Sequence, residues 1–555
     1  MIIAVVLITG AIIYFLTAPV PYFRSPLKIR TQLAGSFGEV RKDHFHLGID
    51  IRTGGKENMP VYAMADGYIY RASIQRHGYG KALYIAYNNG LMSVFAHLNS
   101  FSDEVTAVVN KQQLLSEQWE QEMFFSPRRF PVKKGTLVAY SGNSGSSEGP
   151  HLHLEMRNSK TKTILNPILA GIKVSDNVAP SIRSVWLYNG SRTLYEESGI
   201  EIKYNDDGIP ETEELVTLRD SVVRIGIEAN DKSEASKFLL GIYHAQLLLD
   251  NKLRFEFKLD SIPLAKERYV NATIDYNRWF HQKRIIQFLF RLPGNHFPAY
   301  HQFKENGIIH LADDQIHRIK IIITDASGNS NRTTFHIRYK PEVTHKDFHT
   351  DLLLPGMPHK VSQGNVVAYF SPLAFYDAVP FNMTELKSKK AGSVSKMVKV
   401  YDPSIPVHTR YRIQLKTFLQ TNDPDRKYVV MELKNGKENY YVKGDWKGDY
   451  MDGSFENFGT IRLIVDKVPP RITAFEPRKW FHHGEMIRLE CVDNTEYVEN
   501  FTARIDGQWT PFEYKKNSYY YYIPKELKKG NHCLEIECAD QGGNTAKKKI
   551  DFVIR

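Results

Sequence analysis

The chain reads as a mainly β protein of several domains, and three observations predict it. Tyr and Phe, at 31 and 30 residues, supply nearly all of a 12% aromatic content, which suits strands better than helical bundles. Residues 27–172 are a string of short apolar runs of period two, punctuated by glycine. Two stretches beyond residue 172 open and close on the same phrases, the mark of a repeated unit. A length of 555 residues allows about three to four domains at about 150 residues each. Hydrophobic residues at 42% and charged residues at 24% exclude a fibrous or largely disordered chain. The net charge of +11 is spread thinly, and no cluster of Lys and Arg is interleaved with aromatics, so no nucleic-acid partner is expected.

Residues 1–20 carry no charged side chain, and the run IIAVVLITGAIIYFL at 2–16 suits a signal peptide or a membrane anchor. Export to the cell envelope is therefore expected, either into the periplasm or anchored in the inner membrane facing it. No Lys or Arg precedes the run, and Leu16-Thr17-Ala18 matches a cleavage site only in part. Arg24, Lys28 and Arg30 just after it argue against an uncleaved anchor that leaves the bulk of the chain outside.

Residues 25–172 form the first predicted domain. Its runs PVYAMADGYIYRA, KALYIAYNNGLMSVFAHL, GTLVAYSGNSG and HLHLEMR predict antiparallel strands with tight turns at Asp66-Gly67 and Asn88-Asn89-Gly90. Residues 102–125 break the pattern: they are rich in helix formers, open on a Ser/Asp cap and end before Ser126-Pro127, so they predict a helical insertion. Val105, Val108, Val109, Leu114, Leu115 and Trp119 fall partly on one face, which predicts that this arm docks on a neighbour, as a gate or as a brace.

Beyond it, about three β-sandwich domains of the Ig-like kind are expected, at 173–340, 341–464 and 465–555. Asp176-Asn177-Val178-Ala179-Pro180 matches Asp466-Lys467-Val468-Pro469-Pro470, strands end at Asp231 and at Asp493, and Asp325-Ala326-Ser327-Gly328-Asn329 matches Asp540-Gln541-Gly542-Gly543-Asn544. The first and last of the three units should share a strand order. Cys491, Cys533 and Cys538 all lie in the last unit. Cys533 and Cys538 are five apart, hence on opposite faces of one strand, so either Cys491 pairs with one of them or all three stay free thiols.

Two phrases in the first domain carry chemistry: Asp43-His44-Phe45-His46-Leu47-Gly48-Ile49-Asp50 and Gly149-Pro150-His151-Leu152-His153-Leu154-Glu155. Histidine with carboxylate is the ligand set zinc takes when one position stays open for water. On a strand, His151 and His153 project from one face while Leu152 and Leu154 enter the core. A lone His-x-His is weak, and a lone His-x-x-x-Asp weaker; in this order, each after glycine-rich turns, they are strong.

These phrases resemble the M23 family of zinc metallopeptidases, the lysostaphin and LytM type that cut peptide bonds in peptidoglycan. The resemblance covers about residues 35–167 and includes Phe95-Ala96-His97-Leu98, Gly78-Tyr79-Gly80 and Gly142-Asn143-Ser144-Gly145. It implies a LytM-like antiparallel β domain, Zn2+ on His46, Asp50 and His153, catalytic roles for His97 and His151, and peptidoglycan as the partner. Three protein ligands leave a position for water, whose pKa a zinc ion lowers from about 15.7 towards 7. No His-Glu-x-x-His is present, so His151 and His97 are left to orient that water, stabilise the oxyanion and protonate the leaving amine. The helical insertion, and Phe95 where the family usually has Tyr, bear on substrate preference more than on catalysis.

Other candidates read as structural. Glu155 shares the face of the two histidines, where it is a second partner for an imidazole or, as favoured, a plain surface carboxylate. His44 reads as solvated or as a support behind a ligand, His482-His483 as a surface turn, and Tyr519 to Tyr522 as an alternating strand with two rings buried and two half-exposed, favoured over a glycan-binding face. Two rival functions stand: a scaffold that binds peptidoglycan or activates a hydrolase without cutting, and a zinc peptidase acting on proteins.

Overall fold

The structure is a computed structural model that describes residues 22–196, 198–205, 215–233, 238–341, 352–387, 392–474, 479–495, 498–515 and 518–555. The expected signal or anchor segment, residues 1–20, lies outside the described residues. Among the described residues no helix is long and apolar enough to cross a membrane. The protein is mainly β.

In the first domain the strands run in the order Leu33–Gly35, Ile49–Arg52, His151–Asn158, Leu91–Leu98, Lys81–Tyr87, Gly67–Ile74, Gln121–Phe124. Register follows from burial. Leu152 and Leu154 lie opposite Ile51 and Ile49, and all four are fully buried. Because side chains alternate, that pairing forces Asp50 and His153 opposite each other on the other face. The turn at Asn88-Asn89-Gly90 closes a hairpin between Lys81–Tyr87 and Leu91–Leu98 as expected. Asp66-Gly67 does not: Pro60–Tyr62 belongs to a separate three-stranded sheet, so the chain changes sheets there. A Cβ at Gly67 would stand 2.1 Å from the Ala86 carbonyl oxygen.

The insertion is shorter in helix than the sequence predicts. The helix spans Asp103–Ser116 and stops at Glu117, whose φ of 51° is left-handed. Residues Gln121–Phe124 instead pair antiparallel with Gly67–Ile74 as an edge strand, because that edge offers unpaired backbone groups that outweigh a weak helical preference. The buried row of the helix is Val105, Val109 and Gln113, spaced four apart, which turns Leu114 and Leu115 outward at 58% and 71% exposure. Those two leucines therefore do not dock.

The first and last downstream units share the order of their common strands, the first adding Ile200–Lys203 beside Ser181–Asn189 and Tyr300–Phe303 beyond Lys252–Lys258. In one, Ser181–Asn189 pairs with Val222–Asn230; facing them, Leu215–Leu218 runs parallel to Ser330–Tyr339, followed by Ile316–Thr324, His244–Leu249 and Lys252–Lys258. In the other, Arg471–Ala474 pairs with Met486–Val492; facing them, Trp480–Phe481 runs parallel to Thr545–Ile554, followed by Gly530–Asp540, Val498–Ile505 and Gln508–Trp509. Between these units, two further sheets enclose a core that includes Val366, Tyr411, Met431 and Leu463.

The first domain and the next unit share one contiguous apolar core, so residue 172 is no core boundary. Phe45 stacks on Phe297 with ring centroids 4.6 Å apart, and Ile164–Leu165 pairs with Ser261–Ile262. In the last unit Cys491 and Cys538 are buried neighbours in one core, while Cys533 is partly exposed. The tyrosine run does not alternate as expected. Tyr519 is buried and stacks on Phe501, Tyr520 and Tyr521 are half-buried and Tyr522 is exposed, because the strand Ser518–Tyr522 leaves the core towards its end.

Candidate metal centre

Three neighbouring strands bring the chemistry together. Ile49–Arg52 carries Asp50, His151–Asn158 carries His151 and His153, and Leu91–Leu98 carries His97, with His153 in register between Asp50 and Ala96. Two strand residues placed directly opposite have Cβ atoms about 5 Å apart, close enough to share one ion. His46 arrives from the preceding loop, held by backbone bonds from its own N–H to the Glu39 carbonyl and from Gly38 N–H to its carbonyl, both 2.8 Å. The adjoining sandwich supports this loop from behind: Gly241 N–H donates to Ser36 Oγ at 2.8 Å, and Phe45 N–H to the Glu267 carbonyl at 3.1 Å. At Gly48 a Cβ would come within 2.9 Å of the His153 ring, so glycine is needed for that close approach.

His46 Nε2, His153 Nδ1 and Asp50 Oδ1 converge, with separations of 3.0, 2.9 and 3.0 Å. The other nitrogen of each ring is already engaged. His46 Nδ1 lies 2.7 Å from the Ser36 carbonyl and His153 Nε2 3.2 Å from Glu155 Oε1; each oxygen only accepts, so each of those nitrogens donates. In the neutral rings the two facing nitrogens are then lone pairs, pointed at a carboxylate oxygen. Three acceptors at this spacing need a cation among them, and a tetrahedral zinc site with bonds of about 2.0 Å has ligand atoms about 3.3 Å apart. The residues present fit that ion.

The electrostatics show the same demand for positive charge between these groups, which a proton on His153 meets when no metal does. Burial opposes a charge on His153, but Asp50 and Glu155 on either side outweigh it and lift its pKa to about 9. Burial likewise opposes ionising Asp50, yet His46, His151 and His153 hold its carboxyl well below the usual range. Arg41 also donates to Asp50 Oδ2 at 3.1 Å.

His97 and His151 stand beside this trio. Their ring centroids are 4.9 Å apart, and His97 is 5.7 Å from His153. His97 Nδ1 donates to the Ser144 carbonyl at 2.9 Å and His151 Nδ1 to the Gly149 carbonyl at 2.8 Å, leaving each Nε2 as an acceptor. His151 Nε2 is 3.3 Å from Asp50 Oδ1. His97 sits at a register shift between Leu91–Leu98 and Lys81–Tyr87 with a left-handed φ of 57°, the kind of bulge that re-aims a side chain beside an active site. Burial, then the neighbouring His153 and His151, lower the His97 pKa to about 3, so it is neutral at physiological pH.

Glu155 is not a surface carboxylate. It is fully buried, accepts from His153, from the Tyr79 hydroxyl and from Arg157 Nε at 2.6 Å, and Arg157 Nη2 reaches the Tyr79 hydroxyl at 3.2 Å. Burial opposes its charge, but Arg157 first, then His153 and Tyr79, bring its pKa down to about 2. Sequence reasoning missed Arg157, whose spacing of two from Glu155 on the same strand face was the available signal, and Tyr79 inside Gly78-Tyr79-Gly80. His44 is exposed, as expected.

The last sandwich reaches this end of the sheet. Arg52, His151, Leu98 and Lys81 mark one end of four consecutive strands. On its outer sides Glu57 pairs with Lys515 at 2.9 Å, Lys81 pairs with Glu513, and His77 lies 5.4 Å from Tyr514, so the edge strand Glu513–Lys515 spans from one flanking loop to the other. Glu117, at the end of the inserted helix, bonds Arg504 of the same sandwich at 3.0 Å. The arm does touch a downstream unit, through a charge rather than through its leucines.

Residues 44–127 match Peptidase family M23, a segment that holds His46, Asp50 and His97. The N-terminal domain belongs to peptidase family M23. Residues 356–466 match the Zu5-like domain. The M23 domain is similar to the DD-carboxypeptidase/endopeptidase Mpg of Neisseria meningitidis serogroup B, 31% identical over 112 residues that make up 20% of each chain. An uncharacterized metalloprotease of Haemophilus influenzae is 27% identical over 140 residues, 24% of each chain. The chain thus spans about a fifth to a quarter of the length of the curated relatives it matches. Among solved structures, the catalytic domain of the prophage-encoded M23 protein EnpA from Enterococcus faecalis is 25% identical, covering 27% of this chain and 94% of that one, with a TM-score of 0.19. A zinc containing peptidase from Vibrio cholerae is 26% identical, covering 25% and 36%, with a TM-score of 0.18.

Proposed function

We propose that the protein is an exported zinc metalloendopeptidase that hydrolyses peptide bonds in peptidoglycan stem peptides or cross-links. The observation that carries this reading is the meeting of two imidazole lone pairs and a carboxylate oxygen at about 3 Å, in an M23 domain, with two further histidines whose Nε2 atoms remain acceptors. The peptidase names of the Neisseria and Haemophilus relatives support peptide-bond cleavage. The uncharged segment at 1–20 supports export.

His46, Asp50 and His153 hold the zinc, each ligand fixed from behind by the Ser36 carbonyl, Arg41 or Glu155. The chemistry supplied there is that of a Lewis acid, which polarises a carbonyl and makes water acidic enough to deprotonate near pH 7. His151 and His97 are held by backbone carbonyls in the tautomer that leaves Nε2 free to accept, so one takes a proton from the attacking water and, once protonated there, donates it to the leaving amine, while the other orients that water by accepting from it. Arg157 and Tyr79 keep Glu155 ionised, which keeps the His153 ring oriented.

The test is metal content measured beside peptide release from isolated cell walls. His153→Ala should lose zinc and activity together, whereas His151→Ala should keep zinc and lose turnover by at least a hundredfold, the low end of general acid–base contributions of about 10²–10⁴. A His153→Ala protein with full zinc content overturns the ligand assignment.

A further inference from the structure

Away from this centre, the repeated phrases place three aspartates together twice. Asp176, Asp231 and Asp325 bring one carboxylate oxygen each within 4.8 Å of one another, and so do Asp466, Asp493 and Asp540. Several of the surrounding hydrogen bonds repeat. Asp176 accepts from Val178 N–H at 3.1 Å and Asp466 from Val468 N–H at 3.2 Å. Asp325 accepts from the backbone and side-chain amides of Asn329 at 2.9 and 2.8 Å, and Asp540 from those of Asn544 at the same distances. Those bonds build the turns; they do not neutralise the charge.

A second observation points to a ligand. Asp231 is 4% exposed and Asp466 2%, yet Asp231 Oδ1, Asp466 Oδ2 and Asp493 Oδ1 are buried without a hydrogen-bond partner. A buried carboxylate oxygen left unpaired costs free energy unless something cationic meets it. Beside the second cluster the Lys443 ammonium lies 3.4 Å from the Gly542 carbonyl, near Asp466 and Asp540, and offsets part of that charge.

We infer that each cluster is a site for a hard divalent cation, calcium, distinct from the zinc centre. The donors are all carboxylate oxygens with neither nitrogen nor sulfur, which disfavours zinc, and three protein carboxylates on one ion suit calcium, whereas magnesium keeps most of its waters and takes one or two. Asp176 and Asp466 sit just ahead of the first strands of their sandwiches, Ser181–Asn189 and Arg471–Ala474. A bound ion ties each entering segment to the turn at the far end of its unit and so fixes how the unit leaves its predecessor.

The experiment uses the full chain loaded with zinc, freed of calcium and then equilibrated with radioactive Ca2+. Two ions per chain are expected, one after Asp231→Asn or Asp493→Asn, and none after both, with zinc content unchanged; millimolar Mg2+ should displace little. Fewer than two ions on the unaltered chain at millimolar Ca2+ overturns the inference, whether or not the variants fold. So does retention of both ions by the folded single variants, because the ions would then lie elsewhere.

Discussion

Glu155→Gln removes one charge and leaves the shape of the centre intact, which makes it the most informative perturbation of the support behind zinc. In the folded protein the carboxylate is held at about 2 against an ordinary 4.5, and that difference corresponds to about 3 kcal/mol of stability at neutral pH. The sign follows from the depressed value: this stability is present above about pH 4.5 and is lost as pH falls through about 2. An amide at this position leaves Arg157 buried without its ion partner, for which a cost of about 3–5 kcal/mol is usual, in agreement with the first figure. It also weakens the acceptor on His153 Nε2–H, which should lower zinc affinity about 10–100-fold, or about 1.4–2.7 kcal/mol. Urea unfolding of the zinc-loaded protein and competition with a fluorescent chelator measure the two effects separately. Zinc affinity within twofold of the unaltered protein would refute the claim that Glu155 positions the ligand, even if stability fell.

Three further outcomes are expected. His408 packs on Tyr269 at 4.1 Å between two units, and burial, then Arg268 and Lys266, lower its pKa to about 4, so the folded state resists protonation. Stability should fall as pH drops from about 6.5 towards 4, by up to about 3 kcal/mol before allowance for solvent screening of a ring that is not fully buried, and His408→Asn should flatten that slope in urea titrations. Glu513→Ala with Lys515→Ala removes two partly exposed ion pairs worth at most about 1 kcal/mol each, so the unfolding midpoint should barely move. Turnover of polymeric walls should rise relative to that of short peptides, since the strand Glu513–Lys515 crosses the sheet end that carries His97 and His151; equal changes on both substrates would refute this. If the chain is exported to an oxidising compartment, non-reducing peptide mapping should find Cys491 joined to Cys538 and Cys533 free, and a bridge to Cys533 would contradict the core geometry.

The meeting of Asp50 and His153 was legible because alternation alone carries them to one face once Ile49, Ile51, Leu152 and Leu154 take the other. The shared strand order of two sandwiches was legible because their turn phrases are the residues that build the turns, Asp325 with Asn329 and Asp540 with Asn544. What escaped was set by partners far away in sequence. Glu155 is buried because Tyr79, 76 residues earlier, closes over it, and its pairing with Arg157 shows only once both are known to point inward. Residues Gln121–Phe124 became a strand because an open sheet edge was waiting, which no local preference reports. Nor does the sequence show that the loop carrying His46 leans on Phe297 and Gly241 of the next unit.

The proposed activity is cleavage of peptide bonds in peptidoglycan with zinc held by His46, Asp50 and His153. Digestion of purified cross-linked muropeptides by the zinc-loaded full chain, followed by mass spectrometry, tests it most directly. Peptide products that together have gained one water per bond cut, with glycan strands intact, are expected, and none from the chelator-treated protein until zinc is returned. Muropeptides left whole by a protein carrying one zinc per M23 domain would contradict it.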